Sequence, residues 1–438
     1  MRWHHGLAER DVSRLVSAAS SLSVLSSHAL RLALGFFVSL VLARSMAPSE
    51  YGVFSLLMGF LLTASAVSDF GINIPFVRFY VQQQADPSSS VDRFAGFAYG
   101  WRIAVSGVAM AVTFGMLYLW GEEFLQRPLS FWTIVLGSVL VFSEGISSFL
   151  LALLQARGRF QTLSALTVSP NALRIIVLGA LVTLDLITFS TAFLVFSGTL
   201  IVTMCAARIL TRDLRVRWDF WRAVDDYRPA LSWTKWTMVQ TLSNVFVSKF
   251  DILALGVYAI DPCRIGNYAL ALAFGSLLSV LQSSTITLLL PRVSGLLTRD
   301  GFEEYRRDMV RLSVLLGGAI LIATLGGYQV ITALYADRYP QAGDLFLLIT
   351  GAFGVSTLVT PWTLLTYAVN RPQIPAVQNL TGIGVLVVAS SLLVPRLEVT
   401  GMAVSVLLSR LVAECVGLAL TIGAVRRSPL MSRDRRPA

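Results

Sequence analysis

Apolar residues run in blocks of about 20 or more along nearly the whole chain, separated by short polar connections. A helix needs about 20 apolar residues to cross a hydrocarbon core of about 30 Å. The pattern therefore predicts twelve spanning helices, at 22–44, 51–80, 94–119, 130–155, 162–183, 189–209, 229–257, 265–291, 308–334, 342–369, 375–394 and 400–424. No stretch is polar enough to form a soluble domain. The first apolar block, Leu22–Ala43, is longer than the 7–15 residues of a signal-peptide core, so it reads as a retained helix.

Composition agrees with the pattern. Hydrophobic residues make up 55% of the 438 and charged residues 14%, against about 25% charged in a soluble domain. Mean hydropathy is +0.69. The net charge of +10 raises a nucleic-acid role, which its distribution argues against. Of the 35 Lys and Arg residues, 26 fall on the side of the N-terminus and five (Arg44, Arg127, Arg264, Arg338, Arg396) on the other. Four lie within spans: Arg31, Arg174, Lys249 and Arg410. Such a bias is the positive-inside signature and predicts cytoplasmic termini. Cys205, Cys263 and Cys415 are too scattered for a metal site or a disulfide framework. His4 and His5 lack further ligands, and no cofactor is expected.

The chain repeats itself. Pro48-Ser-Glu-Tyr-Gly52-Val-Phe54 follows the first span, and Pro262-Cys-Arg-Ile-Gly266-Asn-Tyr268 follows the seventh, 214 residues later. Both read P-x-x-x-G-x-aromatic, and both reach a phenylalanine twelve residues past the proline, Phe60 and Phe274. Six spans per half return the chain to its starting side, so the halves are expected to be parallel repeats. The expected division is an N-terminal lobe at 1–210, an amphipathic cytoplasmic linker at 211–228 with Trp218, Phe220 and Trp221, and a C-terminal lobe at 229–438. Pro75, Pro170 and Pro361 fall inside spans, where each removes a backbone hydrogen bond and serves either as a packing kink or as a hinge.

Several stretches carry a family resemblance: Arg31-Leu-Ala-Leu-Gly35-Phe36, Leu42-Ala-Arg44-Ser-Met-Ala-Pro48-Ser-Glu-Tyr51-Gly52, Asp69-Phe-Gly71, and Asp251-Ile-Leu-Ala-Leu-Gly256 through Gly266-Asn-Tyr268-Ala-Leu-Ala271. With the number and order of spans, they resemble the polysaccharide-transporter branch of the multidrug/oligosaccharidyl-lipid/polysaccharide exporter superfamily, which includes the O-antigen (Wzx-type) flippases. The resemblance implies an all-α membrane protein, with two six-helix bundles around a central cavity. It implies movement of an undecaprenyl-diphosphate-linked glycan across the bacterial inner membrane, in the lipid bilayer and with other glycan-assembly membrane proteins as candidate partners. These motifs identify the family better than the sugar.

A charge at mid-span costs about 2.5–3.5 kcal/mol on insertion scales, which makes it a functional candidate. Arg31 and Arg174 are the leading cationic positions, and Arg78, Arg102 and Arg292 sit nearer the cytoplasmic ends. Arginine offers two parallel N–H groups to a phosphate, so these five are candidate diphosphate ligands; snorkelling to the interface is the alternative. Gln240, Asn244 and Asp251 share one face of span seven with Trp236 a turn earlier, as a sugar-contacting wall or as interhelical glue. Arg410 and Glu414 are i,i+4 neighbours and read as mutual neutralisation ahead of substrate contact. Glu144 and Asp69 are candidates for binding a coupling proton or sodium ion, and Asp69 alternatively braces the helix end before Gly71.

Two other functions compete. A cation-coupled multidrug exporter of the same superfamily usually carries an acid in its first or seventh helix; span one has none, whereas Asp251 keeps that reading open. A glycan polymerase, ligase or glycosyltransferase needs a sizeable external loop with catalytic groups, and the external connections here are short. A transporter rather than an enzyme is expected.

Overall fold

The computed structural model describes residues 26–84, 91–214, 220–294, 299–369, 371 and 373–428. Among them the chain is helical, with no strand. Among the described residues ten helices, counting Pro262–Leu289 as one, are long and apolar enough to cross a membrane. By contacts the chain divides into two units. Unit 1 comprises Met1–Ser45, Phe60–Glu122 and Arg127–Leu242, and unit 2 comprises Met46–Gly59, Glu123–Gln126 and Ser243–Ala438.

Unit 1 holds α1 (Ser26–Ser45), the end of α2 (Pro48–Val67), α3 (Asn73–Gln84), most of α4 (Val91–Leu125), α5 (Phe131–Ala156), α6 (Phe160–Thr183), α7 (Phe189–Leu210) and the start of α8 (Phe220–Val257). Its centre is α5, which packs against α3, α6 and α7. Ser130 caps it by accepting from the Thr133 amide, satisfying a backbone donor at the helix start. Small residues then let neighbours approach closely. A Cβ on Gly145 would sit 2.5 Å from Ser106 Oγ of α4. Phe76, Tyr80, Phe94, Tyr99 and Phe149 form an aromatic core beside it.

The span expected at 51–80 is two helices. α2 ends at Val67 and α3 begins at Asn73, with Phe70 (φ 46°) and Gly71 (φ 66°) between them in the left-handed region. A Cβ on Gly71 would lie 2.5 Å from Met238 N of α8, and Thr237 Oγ1 donates to the Gly71 carbonyl at 2.8 Å. Glycine is the residue that tolerates both the dihedral and the approach. Pro75 accordingly sits in the first turn of α3 rather than inside a span, where its missing N–H has no helical partner to lose. The linker expected at 211–228 is also modified. α8 already begins at Phe220, and Trp218 lies outside the described residues.

Unit 2 is built around α12 (Ala342–Thr363), which packs against α9 (Pro262–Gly275), α10 (Leu278–Ser294), α11 (Arg299–Tyr335) and α14 (Gln373–Arg426); the short α13 is Leu365–Ala368. The span expected at 265–291 is Pro262–Leu289, with a short turn at 276–277 between α9 and α10. The 54 residues of α14 would measure about 81 Å if straight, far more than a membrane. Glu398 (φ 51°) interrupts it, and the arms run back along each other. Ser409 Oγ donates to the Gly382 carbonyl at 2.7 Å, and Gln378 Nε2 to Glu414 Oε2 at 2.9 Å. Those arms are the spans expected at 375–394 and 400–424.

The repeated P-x-x-x-G turns meet inside unit 2. A Cβ on Gly52 would fall 1.9 Å from the Pro262 carbonyl oxygen, and one on Gly266 would fall 2.3 Å from that of Pro48. Each turn thus lays its glycine on the other's proline carbonyl, which explains the conserved spacing within the chain better than any local turn requirement.

Candidate functional site

Glu144 lies half-buried midway along α5, next to the close-approach Gly145. Its carboxylate is in electrostatic reach of Arg174 on α6, Arg31 on α1 and Arg102 on α4. Five residues singled out separately in the sequence, these four and Asp69, therefore form one cluster in unit 1.

The three arginines differ in what they have left to give. Arg102 is 1% exposed. Its Nε donates to the Gly145 carbonyl at 2.9 Å, its Nη1 to the Ser68 carbonyl at 2.7 Å, and Nη1 lies 3.2 Å from Asp69 Oδ1. It pins the α2–α3 break to α5 by satisfying a carbonyl just past the end of α2. Arg174 is similarly engaged: Nε to Thr199 Oγ1 at 2.9 Å, Nη1 to Asn171 Oδ1 at 2.9 Å, Nη2 to the Phe196 carbonyl at 3.4 Å. Its guanidinium also lies 4.2 Å from the centre of the Phe196 ring, within cation–π range.

Arg31 is exposed, and among the described residues its guanidinium meets no hydrogen-bond acceptor. Asn171 Nδ2 donates to its backbone carbonyl at 2.9 Å, so one carboxamide ties Arg174 to the helix that carries Arg31. Arg102 and Arg174 act as fixed positive charges, whereas Arg31 keeps its full fork of donors. Asn171, Thr199 and Phe196 were not picked out by the sequence. The only signal was the i,i+3 spacing of Asn171 and Arg174, which a neutral amide makes easy to overlook.

The other sequence candidates lie elsewhere. Arg78 is exposed on α3 and is not among the arginines acting on Glu144. Arg292, on α10, is held by Asp308 at 2.6 Å and Glu304 at 3.4 Å from α11. The side chains of Trp236 and Gln240 lie outside the described residues, and Asn244 is exposed. Asp251 is buried and accepts from Tyr268 Oη at 2.7 Å and from the Ile252 amide at 2.8 Å. Tyr268 is the aromatic of the second P-x-x-x-G-x-aromatic turn, so Asp251 ties α8 to α9.

The chain is a polytopic helical one with charged side chains clustered among its spans, and solved structures share that fold. Over 94% of its length it resembles a structure described as lipid II flippase MurJ, inward closed conformation (TM-score 0.71, 12% identity, 88% of that chain covered). Over 90% it resembles an inward-facing multidrug resistance MATE family transporter of the MOP superfamily (TM-score 0.63, 11% identity, 94% covered). A MOP superfamily transporter from Pyrococcus furiosus is similar over 93% (TM-score 0.53, 12% identity, 96% covered). These likenesses establish the fold. No curated protein matches the sequence. The family model described as polysaccharide biosynthesis protein matches residues 17–297, and the chain belongs to that family.

Proposed function

We propose that this protein is a flippase that carries an undecaprenyl-diphosphate-linked oligosaccharide across the bacterial inner membrane by alternating access, with both termini in the cytoplasm. The observation that supports the reading most is the Glu144 cluster, in which two anchored arginines and a third with an unspent guanidinium all act on one carboxylate. A diphosphate needs paired N–H donors and positive charge close by. Arg31 supplies the donors, and Arg102 and Arg174 supply a field that does not have to reorganise.

Glu144 has a distinct part in this scheme. Three cationic side chains carried on membrane-spanning helices are costly without a counter-charge, and Glu144 provides one while no substrate is present. An incoming diphosphate competes with it for the arginines. Taking up a proton or sodium ion at Glu144 relieves that competition, and this is the coupling step proposed here. Asp69, paired with Arg102, serves to hold the α2–α3 break.

Binding of undecaprenyl diphosphate to the purified full-length protein in detergent tests the assignment. Arg31→Ala is expected to weaken binding about ten- to a hundredfold, the loss of a charge-assisted hydrogen-bonded contact. Arg31→Lys is expected to recover part of it, since lysine restores charge without the bidentate fork. Unchanged affinity in Arg31→Ala refutes the diphosphate site.

A further inference from the structure

Unit 2 contains a cavity of about 190 Å³ with a mixed polar and apolar lining, between α8, α10, α12, α13 and the two arms of α14. Its wall includes Gln282, Tyr367, Gln378, Asn379, Arg410 and Glu414. Arg410 stands 12 residues past the Glu398 kink, deep in the second arm of α14. A charge at that depth is expensive unless it is paired or used. The i,i+4 spacing with Glu414 predicts an ion pair, yet none forms within bonding distance. The guanidinium is in electrostatic reach of Glu414 and Asp251, and meets no hydrogen-bond acceptor among the described residues. Both acids have other partners. Glu414 accepts from Gln378 Nε2 at 2.9 Å, and Asp251 accepts from Tyr268.

The amides of the wall are also partly unspent. Gln282 uses its N–H on Thr360 Oγ1 at 3.1 Å and keeps its carbonyl oxygen. Asn379 makes no hydrogen bond to any described residue. The wall therefore interleaves donors (Arg410, Asn379) with acceptors (Gln282, Asn379), next to the half-exposed ring of Tyr367. Its charge is balanced, because Arg410 and Glu414 are the two charged residues of the lining. An isolated phosphate or carboxylate calls for excess positive charge, and a bare cation for excess negative; this wall offers neither. Vicinal hydroxyl groups, each both donor and acceptor, match it, with an apolar ring face for the tyrosine. At about 190 Å³ the cavity is smaller than the roughly 300–1,000 Å³ of drug-sized sites, which suits one sugar ring rather than an oligosaccharide.

We infer that this cavity is a saccharide subsite, in which one neutral sugar ring is held by Arg410, Asn379 and Gln282 and flanked by Tyr367. The inference rests on the glycan-carrying reading above and adds where a sugar is recognised, apart from the diphosphate. Ligand-observed NMR on the full-length protein in detergent micelles tests it, with glucose, galactose, mannose, rhamnose, N-acetylglucosamine, glucuronate and inorganic pyrophosphate as probes. At least one neutral sugar is expected to bind, and Arg410→Gln and Asn379→Leu are each expected to weaken it about tenfold or more. If Arg410→Gln fails to fold, Asn379→Leu and Gln282→Leu carry the test. Binding by none of the neutral sugars, binding by glucuronate or pyrophosphate alone, or binding that survives these variants overturns the inference. Arg31→Ala should leave sugar binding intact, so loss of the diphosphate site and loss of this one are separately visible.

Discussion

The interlocked turns of α2 and α9 set up a quantitative test of packing. Alanine at Gly52 places a methyl group 1.9 Å from the Pro262 carbonyl oxygen, and 2.8 Å from the Gly266 amide nitrogen. Ordinary contact begins near 3.4 Å, so the two helices must separate by about 1.5 Å, and the obstacle is backbone that cannot rotate away. Overpacking of this kind costs about 1–3 kcal/mol, occasionally more. Gly266→Ala meets Pro48 in the same crossing, at 2.3 Å, and should cost a similar amount. Because the first methyl already forces the helices apart, the double variant should cost clearly less than the sum, as residues sharing one contact do. Gly107→Ala on α4, with no heavy atom within 4 Å of its Cβ, is the control and should be neutral or stabilising, since alanine favours helix by up to about 1 kcal/mol. Apparent melting temperatures of the purified variants, read by intrinsic fluorescence at a fixed scan rate, give the comparison. Melting of Gly52→Ala and Gly266→Ala together with the Gly107→Ala control would refute the interlock.

Three further outcomes follow from named contacts. Arg102→Met should destabilise by about 1–3 kcal/mol, because it leaves the half-buried Asp69 and the Ser68 and Gly145 carbonyls without their donor, and adding Asp69→Asn should restore part of the loss; a thermal-shift series reads both. Tyr268→Phe should cost about 1–3 kcal/mol by stripping a hydrogen bond from buried Asp251, and the pair with Asp251→Asn should be non-additive in a double-mutant cycle. Single cysteines near Arg157 and Arg299 should resist externally added thiol reagents in cells, and those near Glu122 and Asp337 should react, if positive charge marks the cytoplasmic face; the reverse pattern contradicts the orientation.

Much of the fold was legible because membrane solvation imposes a strong pattern, a long apolar block for every crossing. The two arms of α14 matched their predicted spans, with the chain reversing at Glu398 (φ 51°) between them. The breaks at 68–72 and 276–277 were hidden, because hydropathy continues across them. What makes the first break is Gly71 meeting the backbone of α8, a residue 166 positions away, and no local window contains that contact. Buried charge was equally easy to locate and hard to rank. Arg31 and Arg174 look alike in the sequence, and only the folded chain shows Arg174 held by Asn171, Thr199 and Phe196. In the same way, i,i+4 spacing joins Arg410 to Glu414 on paper, whereas Gln378 from the other arm takes the carboxylate.

Transport by this protein depends, in the mechanism proposed, on the guanidinium of Arg31. The direct measurement is flux of lipid-diphosphate-linked glycan, extracted from the source cells, across proteoliposomes holding the purified protein. Protein-dependent translocation is expected, abolished by Arg31→Ala and partly restored by Arg31→Lys, with all three proteins inserted to the same level. Equal flux in the native protein and in Arg31→Ala, or no flux above protein-free liposomes with the native protein, would contradict that mechanism.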